Sequence, residues 1–249
     1  MPARLGINID HVATLREQRH TPYPSLIQAA RASFKGGADQ ITIHLREDRR
    51  HIQDTDLSVI KLVTEEFGRP LNLELGLSKE MLPIAVATAP SWVCLVPEKR
   101  NELTTEGGLN LQDEQTYKKV GEACDFLKLN LDSAKISLFL EADEKTLERS
   151  QYLNIDAVEI HTGRYAQAQL DGEDLSPYLK QFENSKKIVE KQKRGHHAGH
   201  GLTRDSLIPL AQQNIFEEYN IGHWVVCEGL FYGIEQVVKD LKGICYESC

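Results

Sequence analysis

None of the five cysteines in this chain belongs to a CxxC pair. They stand at Cys94, Cys124, Cys227, Cys245 and Cys249, an odd and scattered set that argues against a disulfide framework and for a reducing compartment. Cys245 and Cys249 are read as part of a frayed tail rather than as metal ligands. Long apolar runs are missing too. None approaches the ~20 residues of a membrane span, and the opening MPARLGINIDH lacks the apolar stretch of a signal peptide. The chain therefore reads as cytoplasmic. Positive charge is in deficit, with a formal net charge of −8, which speaks against a general nucleic-acid binder. An acidic chain can still concentrate arginine locally, so a small anionic substrate stays open. A GxGxxG turn is absent where an open dinucleotide-binding sheet would carry it. The first strand candidate runs instead into Asp10-His11-Val12-Ala13-Thr14.

What the chain has is a regular alternation of short β-rich segments and longer helical ones. Strands are predicted over 5–10, 40–45, 71–75, 92–97, 135–141, 157–162, 197–201 and 218–223. Helices are predicted over 23–36, 56–67, 78–88, 113–129, 143–153, 174–194, 203–213 and 225–242. Asp54 and Thr55 suit an N-cap, Ser78 and Asp143 precede runs with an acid in the first turn, and Gly36-Gly37 is a good stop. Eight strand-then-helix units without a long linker or composition break predict one (β/α)8 TIM barrel domain spanning 1–249, with extra helical elements.

The strand phases say more. Ile7 and Ile9 alternate with Asn8 and Asp10, Ile41 and Ile43 with Thr42 and His44, and three leucines with Asn72 and Glu74. Val158 and Ile160 alternate with Glu159 and His161, and Tyr219 and Ile221 with Asn220 and Gly222. In a barrel the apolar phase faces the helices, so the polar phase must point inward. An unpaired polar group there costs roughly 2–7 kcal/mol. Five such strands imply that these groups meet one another, water or a ligand. The second strand ends in a run of charge, Arg46-Glu47-Asp48-Arg49-Arg50-His51, which suits an anionic ligand. Barrel active sites lie at the carboxyl ends of the strands. Asp10, His11, His44, Glu74, Glu159, His161, His200 and His223 would gather there and suit proton transfer. Glycines at the last two tips, in Ala198-Gly199-His200-Gly201 and Asn220-Ile221-Gly222-His223, suit phosphate beside helix N-termini. The Thr104-Thr105-Glu106-Gly107-Gly108 loop could close over a ligand.

These blocks, with Asn8 to Arg16, His44 to Ile52, Val96 to Arg100 and Glu159 to Gly163, resemble the pyridoxine 5′-phosphate synthase family from first strand to last. The resemblance implies condensation of 1-deoxy-D-xylulose 5-phosphate with 3-amino-2-oxopropyl phosphate, without organic cofactor or metal, by a cytosolic homo-octamer. On the family's pattern, His44 and Glu74 correspond to proton acceptors, His200 to the proton donor and Glu159 to the transition-state stabiliser. Asp10, His11, Arg46, His51 and Thr104 correspond to deoxyxylulose phosphate contacts. Asn8, Arg19, Gly201, Gly222 and His223 correspond to amino-ketone phosphate contacts.

The chain departs from the family pattern in places. His197, after His196, stands where Asn is usual. Cys227 and Glu228 replace a small residue and Arg, and Leu75-Gly76 replaces Met-Ala after Glu74. Glu228 is expected to point away from the mouth. Two other functions compete: a metal-dependent barrel hydrolase or isomerase, and a non-catalytic phosphosugar-binding barrel. His196 and His200 lie on a predicted strand rather than on one helix face, which weakens the metal alternative.

Overall fold

The computed structural model describes residues 2–98 and 107–247. Eight parallel strands close into a barrel in chain order: β1 (Arg4–Asn8), β2 (Gln40–His44), β3 (Leu71–Leu75), β4 (Trp92–Leu95), β5 (Lys135–Leu140), β6 (Ala157–His161), β7 (Gly195–Gly199) and β8 (Glu218–Ile221). Around it lie α1 (Asp10–Glu17), α2 (Leu26–Lys35), α3 (Asp54–Glu66), α4 (Met81–Thr88), α5 (Glu114–Asn130), α6 (Glu144–Ser150), α7 (Gly163–Leu170), α8 (Ser176–Lys191), α9 (Arg204–Gln212), α10 (His223–Tyr232) and α11 (Ile234–Glu247). The expected (β/α)8 TIM barrel is the fold. No helix among the described residues is long and apolar enough to cross a membrane.

Period-two alternation builds the two sides of the barrel wall. Ile7, Ile41, Ile43, Leu71, Leu73, Val158, Ile160, Tyr219 and Ile221 are buried in one apolar core shared with the helices. The other phase meets itself across the strands. Asn8 registers with Thr42, Thr42 with Asn72, His44 with Glu74, Glu74 with Cys94, Glu159 with His197, and His197 with Glu218. A small apolar cluster of Cys94, Val96 and Phe139 stands apart from the main core.

Caps fix several helices where the connections deliver them. Asp113 and Asp143 accept the N–H of Thr116 and Thr146, and Thr203 accepts that of Ser206. The start of α3 uses Gln53 and Asp56 in a reciprocal box rather than Asp54 or Thr55. α4 starts at Met81, three residues later than expected, and Ser78 Oγ has no hydrogen-bond partner among the described residues.

Three expectations need correction. Asp10 does not end the first strand. The Asn8 side chain accepts the Asp10 N–H at 2.9 Å and Ile9 leaves the extended region at φ −107, ψ 12, so the chain turns and Asp10 opens α1. α7 was not anticipated; it begins on a glycine, a weak helix former. The last helix, expected unbroken over 225–242, is two. Gly233 at φ +81 takes a conformation that favours glycine, and α11 starts after it.

Candidate active site

The barrel floor is a closed set of pairs. Arg4 Nε donates to Glu218 Oε2 at 2.9 Å, and Arg4 Nη2 lies 3.1 Å from His197 Nε2. His197 Nδ1 lies 3.4 Å from the other Glu218 oxygen, so its proton sits on the side facing the carboxylate. Gln40 Nε2 donates to that same oxygen at 2.7 Å. Burial works against an ionised Glu218, but His197 and Arg4 prevail and hold it below the usual carboxylate range. His197, the departure from the family's Asn, is therefore a buried partner on the floor. His196 faces the other way. It stacks on Phe216 and lies 2.9 Å from Ser185 Oγ, so it cannot join His200 in a site.

Asn220 links the floor to the middle of the barrel. Its amide donates to Glu218 Oε1 at 3.2 Å and to Glu159 Oε2 at 2.9 Å. Among the described residues, Glu159 has no cation paired with it. Burial and then the Glu218 charge push it up to about 8, against the Asn220 hydrogen bond. The glycine at 199 makes this possible, since a Cβ there would lie 2.0 Å from Glu159 Oε1.

At the mouth, His44 lies between carboxylates. Its Nε2 is 3.0 Å from Glu98 Oε1 and its Nδ1 is 3.9 Å from Glu74 Oε2. Burial raises Glu98, but the hydrogen bond and charge of His44 win and lower it. An ionised Glu98 accepts the Nε2 proton and leaves the Nδ1 lone pair toward Glu74, the arrangement that orients a catalytic base. Glu74 is raised well above its ordinary value by burial, then by Glu159 and Asp10. Asp10 accepts the His44 backbone N–H at 2.9 Å and the Asn8 amide at 2.7 Å. Burial still raises Asp10 to about 6, against the pull of His44, Asn8 and Arg46. Donor atoms of Asp10, His44 and Glu74 all lie within 4.8 Å of one another, so these three could hold a metal ion.

The charged tip after β2 sorts itself. Arg49 pairs with Asp54 and Arg50 with Asp48. Arg46 is buried, and among the described residues its hydrogen-bond partner is Asp48 at 3.3 Å. Its charge reaches Asp10, His51 and Glu98. His51 accepts the Ile52 N–H at Nδ1, which puts its proton on Nε2, and burial followed by the His44 charge lowers it to about 3. Its ring centre lies 6.1 Å from that of His44. On another side, His11 and His223 meet edge to face at 4.8 Å, and His161 and His200 lie 5.1 Å apart. Burial lowers His11 and His200 to about 4 each, helped first by His223 and His161 respectively.

Asn8, Asp10, His11, His44, Arg46, His51, Glu74, Glu159, His200 and His223 thus form a chain of neighbours across the carboxyl ends of the strands. Gly201 has φ +78, and Gly222 packs so tightly on Asn8 that a Cβ would lie 2.9 Å from it. Arg19 is not brought into this group; it is exposed just past the end of α1. Thr104, with most of its loop, lies outside the described residues. Glu228 lines a cleft with Arg204, Trp224 and Tyr232, while Cys227 Sγ sits 3.4 Å from His223 Nε2. The strand periods do not mark Glu98 as a site residue, because it stands in the Val96-Pro97-Glu98 block beyond the end of β4.

A (β/α)8 barrel whose mouth collects buried carboxyls and imidazoles in this way has the make-up of an enzyme. The family model for "Pyridoxal phosphate biosynthesis protein PdxJ" matches residues 5–247, and the chain belongs to that family, which serves vitamin B6 biosynthesis. It is 42% identical over 242 residues to the pyridoxine 5′-phosphate synthase of Sulfurihydrogenibium sp. (strain YO3AOP1), covering 97% of each chain. It is 43% identical over 239 residues to the enzyme of that name from Zymomonas mobilis, covering 96% of this chain and 90% of the relative. Among solved structures, thiamine phosphate pyrophosphorylase from Pyrococcus furiosus shares the fold, with a TM-score of 0.62 at 13% identity over 99% of this chain and 96% of the other. Phosphoribosyl anthranilate isomerase from Thermotoga maritima does so with a TM-score of 0.58 at 13% identity, over 98% and 99%.

Proposed function

We propose that this chain joins 1-deoxy-D-xylulose 5-phosphate to 3-amino-2-oxopropyl phosphate at the mouth of the barrel, releasing pyridoxine 5′-phosphate, inorganic phosphate and water. The observation that carries the reading is His44, held by Glu98 with Nδ1 turned toward Glu74, beside Asp10 and the buried Arg46. Ring closure from two carbonyl compounds needs amine addition, dehydrations, phosphate loss and carbon–carbon bond formation, and each step moves a proton. His44 and Glu74 take protons, His200 gives one, and Glu159 stabilises charge that develops over it. Two phosphates need two anion sites. Arg46 and His51, with Asp10, His11 and Thr104, serve one. The glycine tips at Gly201 and Gly222, with Asn8, His223 and the starts of α9 and α10, serve the other.

The protein's own groups set proton affinities that substrate must change. Glu74 has a raised proton affinity where it must accept a proton, and His200, lowered to about 4, has a weak one where it must donate one. A phosphate dianion beside His11 and His200 raises their proton affinity, and an ammonium group beside Glu74 lowers that of the carboxyl. Substrates thus set the working protonation themselves. The same reading carries one domain over 1–249, small phosphorylated partners, a homo-octamer and cytoplasmic residence. Its test is incubation with both phosphates and ultraviolet detection of the new pyridine ring; no ring under any condition that keeps the protein folded sinks it.

One observation favours a second reading. Asp10, His44 and Glu74 offer a carboxylate–imidazole–carboxylate set of the kind that binds a divalent ion. Metal analysis of the purified protein separates the two. A stoichiometric metal whose removal abolishes turnover supports a metal-dependent enzyme; turnover that survives chelation supports proton transfer by side chains alone.

A further inference from the structure

His161 closes β6 and has no part in the allocation above. Its side chain is 8% exposed, and Nδ1 lies 2.8 Å from Glu141 Oε1, just past β5. The same oxygen accepts the Gly108 N–H at 3.0 Å. That contact reaches the end of the β4–α5 connection. With Nδ1 donating to the carboxylate, the other ring nitrogen faces the start of α7. A Cβ at Gly163 would lie 2.5 Å from His161 Nε2 and 3.0 Å from His200 Cδ2, so the two imidazoles crowd one spot that glycine alone leaves open. Phe139 meets both rings edge to face, at 5.4 and 6.4 Å. His200 itself has φ +77, a costly conformation for a residue with a side chain. Thr162, next to His161, helps hold it by donating to the His200 carbonyl at 2.8 Å.

We propose that Glu141 and His161 are positioning residues for His200: the carboxylate fixes the His161 ring, and that ring sets the orientation and local charge at which His200 works. The inference rests on His200 being the proton donor. The charged and titratable groups around His200 are His161 from β6, His11 from α1 and His223 from α10, with Arg164 of α7 acting on Glu141. All three imidazoles oppose a proton on His200. Among the described residues, Glu141 is the one carboxylate hydrogen-bonded to a member of this group. Burial raises Glu141, but the hydrogen bond and charge of His161 outweigh it and lower its proton affinity, so the carboxylate stays ionised. It balances the charge of the ring that presses hardest on His200.

The two halves of the pair therefore have opposite effects. Glu141→Gln removes a negative charge and moves the His200 titration midpoint down. His161→Gln removes an opposing ring and moves it up. Glu141→Asp keeps the charge and restores the wild-type midpoint. Labelled-histidine NMR of the full chain reads these midpoints without turnover, with His200 assigned from the signal lost in His200→Gln. In parallel, Glu141→Gln and His161→Gln lower kcat about 10–100-fold, the scale on which an outer partner of a working histidine acts, with both KM values changed less than about twofold. An unchanged His200 midpoint in both variants, or kcat lost equally in Glu141→Asp, overturns the proposal. Should Glu141→Gln not fold, the upward shift in His161→Gln carries the same decision. Full turnover in His200→Gln removes the donor role instead, while the titration still reports whether the pair sets that ring.

Discussion

The floor and the mouth of this barrel are built from the same residue types, yet they behave in opposite ways. On the floor, Glu218 meets Arg4, His197 and Gln40, and remains charged although buried. At the mouth, Glu74 is also buried, but the charges acting on it include Glu159 and Asp10, and its proton affinity rises instead. Asn220 touches Glu159 and Glu218 at once, so the boundary between the two regimes runs through one amide. The comparison teaches that burial does not mark a working residue. What marks it is burial without a committed counter-charge.

The sharpest way to break the comparison is to remove one carboxyl from each region. Glu74→Gln should lower turnover by about 10²–10⁴-fold, the usual worth of a placed acid or base, and leave the circular dichroism spectrum and melting temperature nearly unchanged. If that variant keeps wild-type turnover, Glu74 does no chemistry. Glu218→Ala should act the other way, costing about 2 kcal/mol of stability. That is below the ~3–5 kcal/mol of a fully buried broken pair because Arg4 is half-exposed. Urea titration reads it, and a variant as stable as wild type would mean that the floor pairs are neutral. A third test lies in pH. Burial holds His196 at about 3, followed in weight by its hydrogen bond to Ile215, which favours the charged form. Its folded value is below the unfolded ~6.5, so its contribution is present above ~6.5 and lost as pH falls toward 3. His196→Asn should flatten the stability curve between pH 6.5 and 4 by up to about 1.4 kcal/mol per pH unit. Glu159 works in reverse, because its raised value makes its contribution present below ~4.5 and lost as pH rises through 8.

The strands were legible because a two-residue period is local. The second strand was expected to end at 45 and ends at His44, and the third matches Leu71–Leu75 at both ends. Overshoots at 97, 141 and 162 come from residues that keep the alternation after the ladder has stopped. The seventh strand was placed two residues late because Gly195 and His196 give no apolar phase. α1 escaped because its start depends on the Asn8 side chain turning the backbone, which no periodicity reports. The inward polar phase was also legible. What it could not show was which inward groups pair with each other. Gln40 and His44 share a phase on β2, yet one sits beside Glu218 on the floor and the other between Glu74 and Glu98 at the rim. That division depends on depth in the barrel and on strands far apart in the chain.

Arg4, Glu218, His197 and Gln40 also make the molecule a cup rather than a tube. With the lower end plugged by interlocked side chains, whatever reacts above must arrive and depart through the same rim. Two incoming reactants and the released fragments then share one doorway. The order of arrival and departure becomes a matter of traffic as much as of affinity.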